Sequence, residues 1–123
     1  MKQKYIVGDV VMYDNKIMVV KEPRDGSHFD LSCHEEGLVY CLVDIDEIKP
    51  VRITPEILEK NGWREEKDDY INDNYHIFLE CKYEKYSAYK VVHNNVVWLR
   101  DVKSVSDLQH LLFGLGLNSE MEV

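Results

Sequence analysis

Ile53-Thr54-Pro55-Glu56-Ile57-Leu58-Glu59-Lys60-Asn61-Gly62-Trp63 carries a full set of helix start and stop signals in a chain that otherwise reads largely as strands. Thr54 is a good N-cap, and Pro55 falls at the first helical position, where its missing N–H costs nothing. Ile53 and Leu58 have the spacing of a hydrophobic staple. Gly62 suits the left-handed position just past the last turn, which leaves Trp63 placed to fold back on Leu58. So short a helix cannot persist alone, because nucleation outweighs its few hydrogen bonds. It must dock on the sheet-forming sequence to either side.

On the N-terminal side, Val10 to Tyr13 and Ile17 to Val20 flank Asp14-Asn15-Lys16 and predict a β-hairpin. Arg24-Asp25-Gly26-Ser27 reads as a loop. A second hairpin follows, with Phe29, Leu31 and Cys33 on one face, a turn through His34-Glu35-Glu36-Gly37, and a return strand from Leu38 to Val43. Asp44 to Pro50 reads as a turn of 3₁₀ helix or a short edge strand. Four or five short strands in so few residues suggest a small β-barrel or bent sheet, of the kind seen in Tudor and KOW modules, a likeness of pattern that carries no function.

On the C-terminal side, the charged stretch from Arg64 to Asn74 reads as a strand remnant and a loop. Tyr75, Ile77, Leu79 and Cys81 then alternate with His76, Phe78, Glu80 and Lys82, the periodicity of a half-buried strand. Tyr86 to His93 and Val96 to Arg100 follow, joined by a turn at Asn94-Asn95, and the short connections imply an antiparallel meander. A last helix is expected from about Val105 to Leu115, with Ser104 and Asp107 as a shortened capping box. Val105, Leu108, Leu112 and Leu115 form its apolar stripe; Phe113 points away from it and needs a second surface. The fold class is therefore α+β: a β-rich half over residues 1–52, then a helix, a meander and a C-terminal helix over 53–123, cooperating as one unit.

Composition narrows the function classes. The net charge is −8 over 123 residues, with 6 bases and 10 acids in residues 1–50 and 9 and 13 in the rest, so no basic tail offsets the acidic field. Such a field repels phosphate backbones at long range. The N-terminal stretch has no apolar run of signal-peptide type, and nothing approaches the ~20 apolar residues of a membrane span. Cys33, Cys41 and Cys81 are odd in number and scattered, which fits free thiols in a reducing compartment. The expectation is a cytoplasmic protein with no membrane association.

Three stretches carry a resemblance. They are Val7 to Tyr13 with Lys16-Ile17, then Asp46 to Val51 running into Ile53 to Trp63, and Asp107 to Leu115. In order and spacing they resemble a family of small proteins of gut bacteria (Bacteroides-type) and their phages or mobile elements, to which no function is assigned. The likeness is weakest over residues 24–44 and 64–95. Trp63 stands where that family more often has Phe, and Leu112 where it has Tyr. The resemblance implies an origin and a shared fold; it implies no catalytic residue.

Several chemistries can be weighed on the residues themselves. Cys33, His34, Glu35, Cys41, Cys81, His76, His93 and His110 lack the close pairs of a zinc site, and core thiols with a turn histidine are the commoner reading. No cysteine opens a helix or sits in a glycine-rich turn that would activate it, and no phosphate-cradling loop occurs. We therefore expect no enzyme, no metal and no cofactor.

From Lys82 to Lys103 five bases meet two acids, a local +3, with Tyr83, Tyr86, Tyr89, Lys90, Trp98 and Arg100 as a candidate binding face. Interleaved aromatics and bases on a sheet are what single-stranded nucleic acid stacks on. The commoner reading is that tyrosines favour strands and lysine stems shield them. Leu111, Phe113 and Leu117 make the last helix apolar almost all round and form a candidate partner interface, for a protein partner or a second copy. The primary expectation is a non-enzymatic interaction or structural module of bacterial or phage origin. A small nucleic-acid-binding protein is the alternative.

Overall fold

The computed structural model describes residues 5–83 and 85–123. It divides into two compact units, Met1–Val51 and Arg52–Val123.

The first unit is one antiparallel sheet. Strands β1 (Val10–Tyr13), β2 (Lys16–Asp25), β3 (His28–Cys33), β4 (Leu38–Asp44) and β5 (Lys49–Pro50) lie in the order β4-β3-β2-β1-β5. Asp14 and Asn15 both take positive φ, 52° and 60°, in the two-residue turn between β1 and β2, a conformation that their short polar side chains tolerate. The Asp44–Pro50 stretch supplies both expected elements: a 3₁₀ turn over Ile45–Glu47, capped by the Asp44 carboxylate, and then β5. Pro50 is accommodated because β5 is an edge. Of the expected barrel or bent sheet, the barrel is corrected to an open sheet, since β4 and β5 end the sheet and do not pair with each other. Phe29, Leu31 and Cys33 share the buried face with Tyr5, Val11, Met18 and Val20.

Asp30 is a feature that the strand pattern does not announce. Its side chain is 4% exposed, yet its carboxylate receives Arg24 Nε at 2.7 Å and the Leu42 N–H at 3.0 Å. The β3–β4 register slips between Phe29 and Leu31, so Leu42 bulges out with φ 55°. Asp30 therefore pins a bulge, and the Arg24 guanidinium holds its carboxyl below the usual carboxylate range. Asp25, bonded by the Ser27 amide and His28, falls to about 2, and Lys16 lowers Glu36. The unfolded chain takes up these protons first. Stability is therefore full above about pH 5 and declines as pH falls through the unfolded-state and then the folded-state values. We expect the melting temperature to drop by several degrees between pH 5 and pH 2.5, and less so in Asp30→Asn; equal melting at both pH values would exclude this contribution.

The second unit is a five-stranded antiparallel meander with two helices. Helix α1 (Pro55–Lys60) precedes β6 (Arg64–Glu66), β7 (Asp69–Asn72), β8 (Ile77–Lys82), β9 (Lys85–Val92) and β10 (Asn95–Val102), in the order β10-β9-β8-β7-β6, and α2 (Val105–Gly114) follows. The strand remnant and loop expected after Trp63 is in fact a hairpin, β6 with β7. The last turn falls at His93-Asn94, one residue earlier than expected, with φ 47° and 71°.

Both helices are capped as their sequences direct. Thr54 Oγ1 accepts from the Ile57 N–H, and the Gly62 and Trp63 amides donate to the Glu59 and Leu58 carbonyls, a Schellman motif with Gly62 at φ 86°. Ser104 and Asp107 bond reciprocally in a capping box. Val105, Leu108 and Leu112 are buried, as are Tyr70, Ile77, Leu79, Tyr86, Ala88 and Val102 on one face of the sheet. Asn61 ties the tail back by exchanging two hydrogen bonds with the Glu122 backbone, at 2.8 and 2.9 Å. No helix is long and apolar enough to cross a membrane among the described residues.

Candidate functional site

Register decides what the second sheet presents on its outer face. Trp98 lies opposite Tyr89, Tyr89 opposite Phe78, Phe78 opposite Ile71, and Ile71 opposite Arg64, so these residues form one row across all five strands. Successive side chains alternate between faces. Because Tyr70, Ile77, Leu79, Ala88 and Val102 point to the buried side, this row points outward. Phe78 and Tyr89 stack with ring centroids 5.1 Å apart and planes 16° from parallel. Trp98 remains 57% exposed at the end of the row. Val91 and Val96, opposite each other, add an exposed aliphatic pair beside it.

The other flank of the aromatic row is acidic. Asp101 lies opposite Ser87, Ser87 opposite Glu80, and Glu80 opposite Asp69. Ser87 Oγ donates to Asp101 at 2.8 Å, which fixes one end of that line. Arg64, the base that closes the aromatic row, is already held by Asp73 at 2.7 Å and Glu66 at 2.6 Å, and both carboxylates push its pKa further up.

This arrangement divides the six residues read as a single binding face. Only Tyr89 and Trp98 share the outer face. Tyr86 is buried beneath the sheet, edge-on to Tyr70 at 6.5 Å, and burial raises its hydroxyl pKa. Lys90 lies on the same inner side, where Nζ donates to the Tyr75 carbonyl at 2.8 Å. Arg100, opposite buried Ala88, is also on that side and reaches Asp107 at 3.5 Å. Tyr83 stands at the connection from β8 to β9, 86% exposed. Plain alternation along β9 parts Tyr86 and Lys90 from Tyr89, and a β-bulge parts the other pair: the register shifts between Trp98 and Arg100, so two residues that alternation places together face opposite ways. Phe78, Ile71, Val91, Val96 and the acidic line are what the linear reading missed. Only cross-strand register could have grouped them.

On α2 the expected interface thins out. Leu117 is the residue beyond Gly116 in a second Schellman motif, its amide donating to the Leu112 carbonyl at 2.9 Å, so its apolar side chain belongs to the helix end. Leu111 is half-buried. Phe113 alone stands clear at 64% exposure. Cys33 is buried, Cys41 exposed and Cys81 half-buried, and among the described residues no three His, Cys, Asp or Glu side chains gather as a metal site. No protein-family model, curated protein or solved structure matches this chain.

Proposed function

We propose that the chain is a non-enzymatic protein-interaction module of bacterial or phage origin, which receives a partner polypeptide on the outer face of its second sheet. The observation that carries this reading is the outward row of half-buried Ile71, Phe78 and Tyr89 with exposed Trp98, widened by exposed Val91 and Val96. A contiguous outward-facing apolar patch with aromatic anchors and a polar rim has the anatomy of an interface. Its acidic flank of Asp69, Glu80 and Asp101 fits a partner that presents apolar anchors beside lysine or arginine. The same acids repel a polyanion, which speaks against nucleic acid on this face.

The test compares wild type with Trp98→Ser/Tyr89→Ser, substitutions on an outer face that leave the core intact. A partner captured by wild type, then purified, is expected to bind with salt-sensitive affinity and to lose at least tenfold in the double variant. If the partner is a second copy, sedimentation will show a wild-type dimer that the variant loses. A wild-type monomer whose captured proteins all bind the double variant equally well would overturn the proposal.

A further inference from the structure

A second surface of this unit lies at the opposite end of the same strands, where four bases gather. Lys82 and Lys85 are directly paired across β8 and β9. Val102, the last residue of β10, pairs with Tyr86, so Lys103 and Lys85 each adjoin that last pair. Arg52 is bridged to Ser104, the next residue, so it joins the same end. Like charges directly across a sheet are destabilising. Among the described residues none of these four bases makes an ion pair. Asp107, one turn on, is engaged by the Lys103 and Ser104 amides and by Arg100. An acidic protein thus brings four bases to one end of one sheet.

That end is concave. A groove of about 650 Å³ is lined by Arg52, Lys85 and Lys103 together with Tyr83, Tyr86 and Cys81. The size falls within the range of small-ligand sites. Tyr83 is the second unusual feature there. It holds φ 54°, a left-handed conformation uncommon for a bulky side chain, and its ring is almost wholly in solvent with Lys82 Nζ 5.8 Å from the centroid. Glycine or asparagine would sit in that turn with less strain. Strain and like-charge repulsion converge on one groove, as they do where binding has shaped a site against stability.

We infer that this groove binds a nucleotide unit, its phosphate held by Arg52, Lys85 and Lys103 and its base stacked on Tyr83. Lysines and an arginine match the phosphate by charge, and every base offers a π-face to a tyrosine ring. An acidic peptide would use the cations and leave the ring unexplained. The nucleotide can be free or part of a single strand, since both present the same phosphate and base. This site is separate from the outer aromatic row and does not rest on it.

The experiment is an amide-resonance titration of the whole chain at low salt with AMP, adenosine, inorganic phosphate, a 5′-phosphorylated oligothymidylate and an aspartate-rich peptide. AMP is expected to move the amides of Arg52 to Thr54, Cys81 to Tyr86 and Lys103, and to bind at least about tenfold more tightly than adenosine or phosphate. Tighter, more salt-sensitive binding of the oligonucleotide assigns the nucleotide to a strand; equal affinity assigns it free. Lys85→Gln/Lys103→Gln and Tyr83→Gly should each lose about tenfold, the latter while melting no lower than wild type because it relieves the turn. Trp98→Ser/Tyr89→Ser should leave AMP binding unchanged, which keeps this test independent of the partner face. Absence of saturable shifts, phosphate or the peptide binding as tightly as AMP, or variants that bind like wild type would each overturn the inference.

Discussion

Trp63→Ala should lower the stability of the second unit by about 3–5 kcal/mol, the range for removing a buried aromatic ring. Trp63 is 3% exposed and occupies the position after Gly62 at the end of α1, where its amide donates to the Leu58 carbonyl at 3.0 Å. Leu58 is itself fully buried. The ring therefore does two jobs: it fills the core, and it is the apolar contact that locks the Schellman motif of a helix only six residues long. A helix of that length holds its shape through docking, so loss of the dock and loss of the cap coincide. Trp63→Phe, the residue that the resembling family more often carries there, keeps a ring in place and should cost much less. Trp98→Ala is the control, because an outer-face substitution away from the core stays within about 0.5 kcal/mol. Urea denaturation followed by far-UV circular dichroism gives all three values, and a Trp63→Ala cost below about 1 kcal/mol would show that the ring is not part of the core.

The same helix shows why some features of this chain are legible in sequence and others are not. Capping is local: Thr54, Pro55, Gly62 and the Ser104/Asp107 pair each act on backbone groups within a few residues, so their residue types declare their roles. Strand alternation is local as well, and Phe29, Leu31 and Cys33 fall on the buried face as their spacing requires. What escaped depends on partners far along the chain. The β6–β7 hairpin hides in a run of charges because its outer face is solvated and only Tyr70 and Asn72 are buried. Asp30 looks like an exposed strand residue until Arg24 and the Leu42 amide converge on it. One bulged residue, Leu99, splits Trp98 from Arg100 and takes that base off the aromatic face. A one-residue slip reverses every side chain beyond it, and nothing in the linear pattern marks where it occurs.

Phe29→Ala should all but unfold the first unit at 25 °C, because a loss of about 3–5 kcal/mol approaches the whole stability of so small a sheet. Phe29 is fully buried on β3, opposite Pro23 on β2 and Val43 on β4, with its ring edge-on to Tyr5 at 5.8 Å and 82°. The strands on either side of it bulge, after Pro23 and before Leu31, so the ladder next to Phe29 is interrupted and its side chain carries a larger share of the cohesion. Neither edge of the open sheet closes to compensate. The expected result is loss of dispersed amide resonances across residues 10–44 in Phe29→Ala, with Val39→Ala on the exposed side of β4 as a control that keeps them. Retention of those resonances, with melting within a few degrees of wild type, would place the cohesion of this sheet in its backbone ladder and in the Asp30 anchor rather than in the Phe29 ring.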